Sequence, residues 1–589
     1  MSVNLADRFT ADFETTSEEN FKVEKCVRVW AWNIRSIDNF EIVGQGTNIS
    51  SFLDFITNKD CEIFFHNLKF DGSFILYELF KRGFQYSKKI KDDHQFTCLI
   101  DESGSWYSIE ICWKHYQKRN ISCKIFDSFK KIPLSVKGMA KSYELEEAKG
   151  SIDYQKFREI GYEPTKDEWD YISNDTLIVA KVLKQHFDQG MEKMTIASDS
   201  YYYFKSLYNK KKFEYLFPTI DEDVHNYLKK SYKGGFVWVN PNFQGKIWKN
   251  VISFDVNSLY PDRMRNCLLP YGKPKFFKGE YQPKFTYPLY IQRIKCAFKI
   301  KKDHIPMIQI KHSMRWNESD YLESSENEIV ELTLTSVDLK LFLNQYNVYH
   351  LEFIDGYMFR GRMTTFDEYI DHFYEIKQKE SGGKKQIAKL FLNSLYGKFG
   401  SAIERINMIP YVENGEVKFT RSEKEKCQSK YIPMACFITS YAREKTILNA
   451  QKFMPNSFIY ADTDSIHLKD VVDDETAKKI AQVKSEELVQ IVPSLSEKLN
   501  IHSSDLGAWK YEGLAERCVF LRQKTYLKEK QGKLNVTACG MPESVKEKVN
   551  FDNFKIDAEF GGKLRQQKVK GGTLLSETTF KIRGKKGQK

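Results

Sequence analysis

The sequence predicts an α+β chain of several domains. A length of 589 residues exceeds what one hydrophobic core supports. Alternating, strand-like segments and helically spaced segments are mixed throughout. A composition 41% hydrophobic and 14% aromatic is that of a folded chain rather than a disordered one. The formal charge of +12 predicts an acidic partner, nucleic acid first. The 33 tyrosines and 43 phenylalanines supply rings for cores or for stacking on bases. The 11 cysteines are scattered, without CxxC or a Cys/His cluster, which predicts reduced thiols and argues against structural zinc or iron–sulfur centres. MSVNLADRFTADFETT lacks the pattern of a signal peptide, and no run approaches the roughly 18 apolar residues of a membrane span. No internal repeat is visible.

Along the chain, FTADFET (9–15), CEIFFHN (61–67) and SCKIFDSF (122–129) read as strands. Residues 167–187 read as a helix, with apolar residues at 169, 172, 177, 180 and 183. The Gly-Gly pair of YKGGFVWVN (232–240) predicts a joint. VISFDVNSLYP (251–261) reads as a buried strand turning at its proline. IPYVENGEVKF (409–419) predicts a hairpin about Asn414-Gly415. YADTDSIHL (460–468) places Asp462 and Asp464 at another hairpin tip. From Gly561 onward nine Lys/Arg face one Glu, so this end is expected in solvent or on phosphate.

Asp462 and Asp464 form a close pair of like charges that a divalent cation would neutralise; a solvated turn is the plainer reading. An EF-hand is excluded, because its sixth position needs glycine and holds His467. Asp255 ends an apolar strand, where an unpaired charge is costly. Alone it reads equally as a helix cap or an ion-pair partner. Together the three carboxylates suit a two-metal phosphoryl-transfer site. In residues 384–400, Lys385, Lys389, Asn393 and Tyr396 share one helical face, with Ile387, Leu390, Phe391 and Leu395 opposite. That is either an amphipathic surface helix or a triphosphate-gripping one.

FDVNSLYP, KLFLNSLYGKFG and YADTDS, in this order, resemble motifs A, B and C of family B DNA polymerases. YKGGF, TSYAR (439–443) and KTY (524–526) extend the resemblance to the protein-primed, φ29-like group, from about residue 8 to about residue 580. The resemblance implies a right-hand polymerase of palm, fingers and thumb behind an N-terminal RNase H-like DEDD 3′–5′ exonuclease domain. It implies two Mg²⁺ (or Mn²⁺) ions per active site, held in the polymerase by Asp255, Asp464 and the Val256 carbonyl, with Asp462 in support. Tyr260 would exclude a 2′-hydroxyl. Lys377, Lys385 and Lys389 would grip the nucleotide, and Asn393 and Tyr396 frame the nascent pair. Lys524, Tyr526, Thr439, Arg443, Tyr232, Gly234 and Gly235 would contact primer or template.

A second set of acids follows the same resemblance. Asp12 and Glu14 share a strand face, Asp71 lies in HNLKFDGSF (66–74), and Tyr171 stands one helical turn before Asp175. Singly each reads as surface charge. Together they resemble the Exo I, II and III motifs, which implies four metal ligands, Tyr171 orienting a water, and Lys149 assisting. Thr15, Phe64, His66, Asn67, Phe70, Phe74, Ser128 and Phe129 would hold a frayed 3′ end.

The implied division is exonuclease 1–195, palm 196–266 and 432–538, fingers 366–402, thumb and tail 539–589, with insertions 267–365 and 403–431. The insertions imply priming by a separate terminal protein and passage of DNA through an encircling channel. The implied partners are primer–template, single-stranded 3′ ends and dNTPs, for a monomer in the cytoplasm of a bacterial host, encoded by a phage. Two departures from the group stand out: a long, partly helical stretch at 473–492, and the tail at 583–589. The alternatives are a family B enzyme that needs no protein primer, and a catalytically degenerate DNA-binding protein.

Overall fold

The computed structural model describes residues 7–116, 120–147, 150–309 and 321–584. Its N-terminal part is an eight-stranded mixed sheet. The strand Asp7–Thr15 lies inside it, parallel to Cys61–Phe65 and antiparallel to Val29–Ser36. Alternation decides its two faces: Phe13 joins the core on one side, while Thr10 Oγ1 meets the Thr176 carbonyl at 3.0 Å on the other. Asp12 and Glu14 therefore face the long helix Lys166–Asp188, which opens with a Thr165–Glu168 capping box.

The second sheet has seven antiparallel strands and centres on Ile247–Val256, between Ser465–Leu468 and Trp509–Arg522. Residues 251, 252, 254 and 256 of the central strand are buried, so it is apolar on both faces. The strand ends at Val256. The chain reverses at Ser258, in the left-handed region at φ 54°, and not at Pro261, which sits in the first turn of helix Leu259–Asn266 where no backbone donor is lost. Residues 267–365 carry a four-stranded sheet and the helix Ser336–Gln345. The hairpin about Asn414-Gly415 is longer than expected, Glu404–Glu413 with Glu416–Lys426, because cross-strand pairs such as Lys424–Glu404 and Arg405–Glu425 extend it. The 473–492 stretch forms the helices Asp474–Ile480 and Ser485–Ile491.

The C-terminal hairpin, Glu559–Val569 with Gly572–Lys581, reaches back to the first domain. Its turn wedges in tightly. The Lys570 carbonyl accepts from Val27 N–H at 3.0 Å, and a Cβ on Gly571, at φ 93°, would stand 2.1 Å from the Val27 carbonyl. Lys568 Nζ lies 5.1 Å from the Trp106 ring and 4.4 Å from Phe419 of the 404–426 hairpin. Three separate modules thus meet at one turn.

Candidate active sites

Asp255 is the penultimate residue of its strand, opposite Ser465. Val256 N–H donates to the Asp464 carbonyl at 2.7 Å, which brings the backbone of Val256 against the acidic turn. Within that turn Thr463 adopts φ 59°, a strained conformation for a β-branched residue. It is fixed from three sides. Thr463 N–H donates to the Phe236 carbonyl at 2.6 Å, Thr446 Oγ1 donates to the Thr463 carbonyl at 2.6 Å, and a Cβ on Gly235 would meet the Thr463 side chain at 2.7 Å. Gly235 is thus needed for close approach behind the acids. Gly234 differs: a Cβ there meets nothing within 4 Å. Tyr232 lies against Gly400 at the end of the 382–399 helix.

The two outer acids behave differently from the third. Burial, then the charge of Asp464, raises Asp255 to about 8. Burial raises Asp464 as well, with Asp462 adding to it. Asp462 has its own counter-charge: Lys524 Nζ donates to both carboxylate oxygens at 2.8 and 3.0 Å, and Tyr460 Oη donates at 3.2 Å. A lysine 62 residues away thus supplies one positive charge at the turn, while Asp464 still feels Asp462. Tyr526 packs on Tyr460 and Phe520, with ring centroids 5.5 and 5.3 Å apart.

Cationic groups approach from the fingers side. Lys377 Nζ donates to Ser258 Oγ at 2.7 Å. Burial, reinforced by Lys389 and opposed by Asp255, lowers Lys377 to about 8. Lys385 adds to the same positive field, and Lys389 and Asn393 are exposed on the same helix. Tyr260 and Tyr396 stack with centroids 3.9 Å apart and planes 17° from parallel. No third ring fits between them, so a nucleotide at that place must displace one.

Thr439 and Arg443 do not reach a surface. Both are buried in helix Ile432–Gln451. Arg443 pairs with Asp338 and donates to the carbonyls of Lys233 and Gly234, each at 2.9 Å. Thr439 Oγ1 donates to its own helix at the Ala435 carbonyl. Direct strand contact is therefore corrected, for Arg443 to support of the Lys233–Gly234 backbone and for Thr439 to a bond within its own helix.

At the first domain, Asp71 is 3% exposed and its Oδ1 has no hydrogen-bond donor. Burial and the neighbouring Asp12 charge raise it well above the usual carboxylate range. Asp12 and Asp175 line one cavity of about 510 Å³ with His66, Asn67 and Phe129. Tyr171 is raised by burial and then by Asp175, Glu14 and Asp12, so these acids surround one phenol; its hydroxyl meets that of Tyr154 at 2.6 Å. Thr15 is half-buried at its strand end, and Phe70 stands half-buried 5.7 Å from Phe74.

Three expected strand contacts are internal instead. Phe64 packs on Phe126 and Phe187, with centroids 5.4 and 5.5 Å away. Phe74 is 1% exposed and abuts Gly572. Ser128 donates to the Phe65 carbonyl at 3.0 Å and holds His66 Nδ1 at 2.9 Å. Lys149 lies outside the described residues. Asp127 was missed, though it too is an acid closing an apolar strand. It accepts the N–H groups of Asn67, Leu68 and Phe129, so it shapes the cavity wall. Ser135, Val136, Thr176 and Val179 also line the cavity, and no local pattern marks them.

Both acid sets are hard oxygen donors, and the donor-less oxygen of buried Asp71 fits a divalent ion. Among the described residues no three His, Cys, Asp or Glu side chains form a ready-made metal cage.

Residues 53–483 match the family of type B DNA polymerases, organellar and viral. The DNA polymerases of Bacillus phages Nf and phi29 are each 39% identical over 98% of this chain and 99% of theirs. That of Streptococcus phage Cp-1 is 34% identical over 98% of both. Phi29 DNA polymerase complexed with primer-template DNA superimposes with a TM-score of 0.89 at 36% identity, covering 98% of this chain and all of that one. Its complex with primer-template and incoming nucleotide gives 0.88 at 37%. The fold is accordingly the right hand of palm, fingers and thumb behind an exonuclease domain. The chain belongs to the type B DNA polymerases of organelles and viruses, among the phi29-like phage enzymes.

Proposed function

We propose that this DNA-directed DNA polymerase extends a primer at Asp255 and Asp464, and trims mispaired 3′ ends at Asp12, Glu14, Asp71 and Asp175. The supporting observation is the existence of two separate sets of acids, half-buried around Asp255 and Asp464 and mostly buried around Asp71 and Asp175. One has lysines of the fingers beside it, and the other has an open cavity beside it. When bound, pairs of Mg²⁺ or Mn²⁺ ions would supply an activated oxygen nucleophile and neutralise charge on the leaving group at each site. In the first site Asp255, Asp464 and the Val256 carbonyl would hold them, and Asp462 would fix Lys524 at the primer terminus. Lys377, Lys385 and Lys389 bind the triphosphate, Tyr260 lies under the sugar, and Tyr396, moved off Tyr260, frames the nascent pair. In the second site Tyr171 orients the attacking water, and Asn67, Phe70 and Phe129 hold the single-stranded end by stacking and hydrogen bonding.

Initiation is assigned to a hydroxyl on a separate terminal protein. The supporting feature is the pair of insertions at 267–365 and 403–431. The enzyme is read as a phage-encoded monomer acting in the bacterial host's cytoplasm. The phi29 polymerase's complexes with primer-template, single-stranded DNA and nucleotides support the choice of partners. The deciding experiment is transfer of a labelled deoxynucleotide onto a candidate terminal protein, with a DNA origin as template. Labelling of that protein is expected. Extension of DNA primers with no labelling of it would replace protein priming by ordinary priming.

A further inference from the structure

The segment 500–508 joins the atypical helices of 473–498 to the strand Trp509–Arg522, and it touches both motif A and the fingers. Its base is rigid. Asn257, the residue after Val256, exchanges backbone bonds with it: Asn257 N–H donates to the Ala508 carbonyl at 2.9 Å, and Gly507 N–H donates to the Asn257 carbonyl at 2.8 Å. Asn257 Nδ2 adds a bond to the His502 carbonyl at 3.1 Å. Gly507, at φ 80°, leaves no room for a side chain, because a Cβ would stand 2.2 Å from the Asp262 carboxyl. Lys445 bonds both Asp262 and the Gly507 carbonyl.

The tip is shaped from within and braced from below. His502 Nδ1 accepts the N–H groups of Ser504 and Asp505 at 3.2 and 3.1 Å. Glu486, in the atypical stretch, accepts from Ser503 N–H and Oγ at 2.8 and 2.7 Å. These bonds present the Ser504 carbonyl to the fingers helix Asp367–Lys379, where Tyr374 Oη and Gln378 Nε2 both donate to it, the latter at 3.1 Å. Residues 374 and 378 are one helical turn apart and flank Lys377. Lys377 in turn donates to Ser258 Oγ, immediately after Asn257.

We propose that loop 500–508 is a strut between motif A and the fingers, and that Tyr374 and Gln378 are positioning residues which aim Lys377 at the incoming nucleotide. The inference rests on the reading of Asp255 and Lys377 as the nucleotide site. The two donors share one acceptor, so either alone retains part of the docking.

The test is steady-state single-nucleotide extension by the full chain with a primed template and Mg²⁺. Tyr374→Phe with Gln378→Leu removes the donors and nearly preserves volume. The expected result is a rise in KM for dNTP of about fivefold, with kcat within about twofold, and each single variant showing a smaller rise. Primer degradation without dNTP stays at the parent rate, which shows that the double variant is folded. An unchanged KM in the double variant overturns the strut. So does a fall in kcat as large as the rise in KM in the double variant. A separate control, Asp255→Asn, keeps the two readings apart: if it still extends, the nucleotide site itself is misplaced.

Discussion

The two acid centres are built differently. The acids proposed for extension stand at the ends of adjoining strands of one antiparallel sheet and in the hairpin turn that Phe236, Thr446 and Gly235 lock. The acids proposed for trimming come from a strand, a nearby helix and a distant helix, brought together only by tertiary packing. The first centre carries its own cations, Lys524 on Asp462 and Lys377 near Asp255. The second leaves Asp71 buried with a donor-less oxygen. A site that receives a triphosphate needs positive charge for the phosphates beyond the metal. A site that admits a DNA end and water needs a cleft.

That contrast breaks most sharply under Asp464→Asn. Extension should fall about 10³-fold or more while degradation of an unpaired primer end stays at the parent rate. Normal extension by this variant would remove the polymerase assignment. Asp12→Ala with Asp71→Ala is the converse: degradation should fall about 10²-fold or more and extension should persist. Loss of both activities together would merge the two centres into one. Lys524→Ala sharpens the difference in internal charge. Because the lysine is more than half exposed, the loss is modest, about fivefold in extension, with no change in degradation. An equal loss in both would mean a general DNA-binding role.

The smallest effect is on stability. The Asp255 carboxyl holds its proton up to about 8 when folded and gives it up near 4 when unfolded. Over that window the folded chain binds more protons than the unfolded one, so metal-free stability falls as pH rises, and the loss is complete above about 8. A bound cation displaces that proton. Magnesium should therefore raise Tm more at pH 8 than at pH 6 in thermal melts, and Asp255→Asn should flatten the difference. A magnesium effect independent of pH would place the responsible group elsewhere.

Much of both centres was legible because local pattern carried it. Strand alternation placed Asp12 and Glu14 on one face, and the tight turn at Thr463 is visible in YADTDS. What was not legible depends on contacts between distant residues. Nothing around Lys524 points to Asp462, and nothing in TSYAR points to Asp338, whose carboxylate keeps Arg443 inside. Phe64 and Phe74 carry the ring type a strand end would want, yet in α+β packing most rings fill cores. Their fate is set by which side of the sheet a helix covers, which the sequence does not print.

The wedge at Gly571 has a mechanical consequence. The Lys570 carbonyl holds Val27, while Lys568 two residues earlier holds Trp106 and Phe419, so one short turn bears on two bodies at once. Prising the C-terminal hairpin away cannot proceed by gradual peeling from one side, since both attachments release in the same displacement. The seam should yield abruptly, as a fastener does.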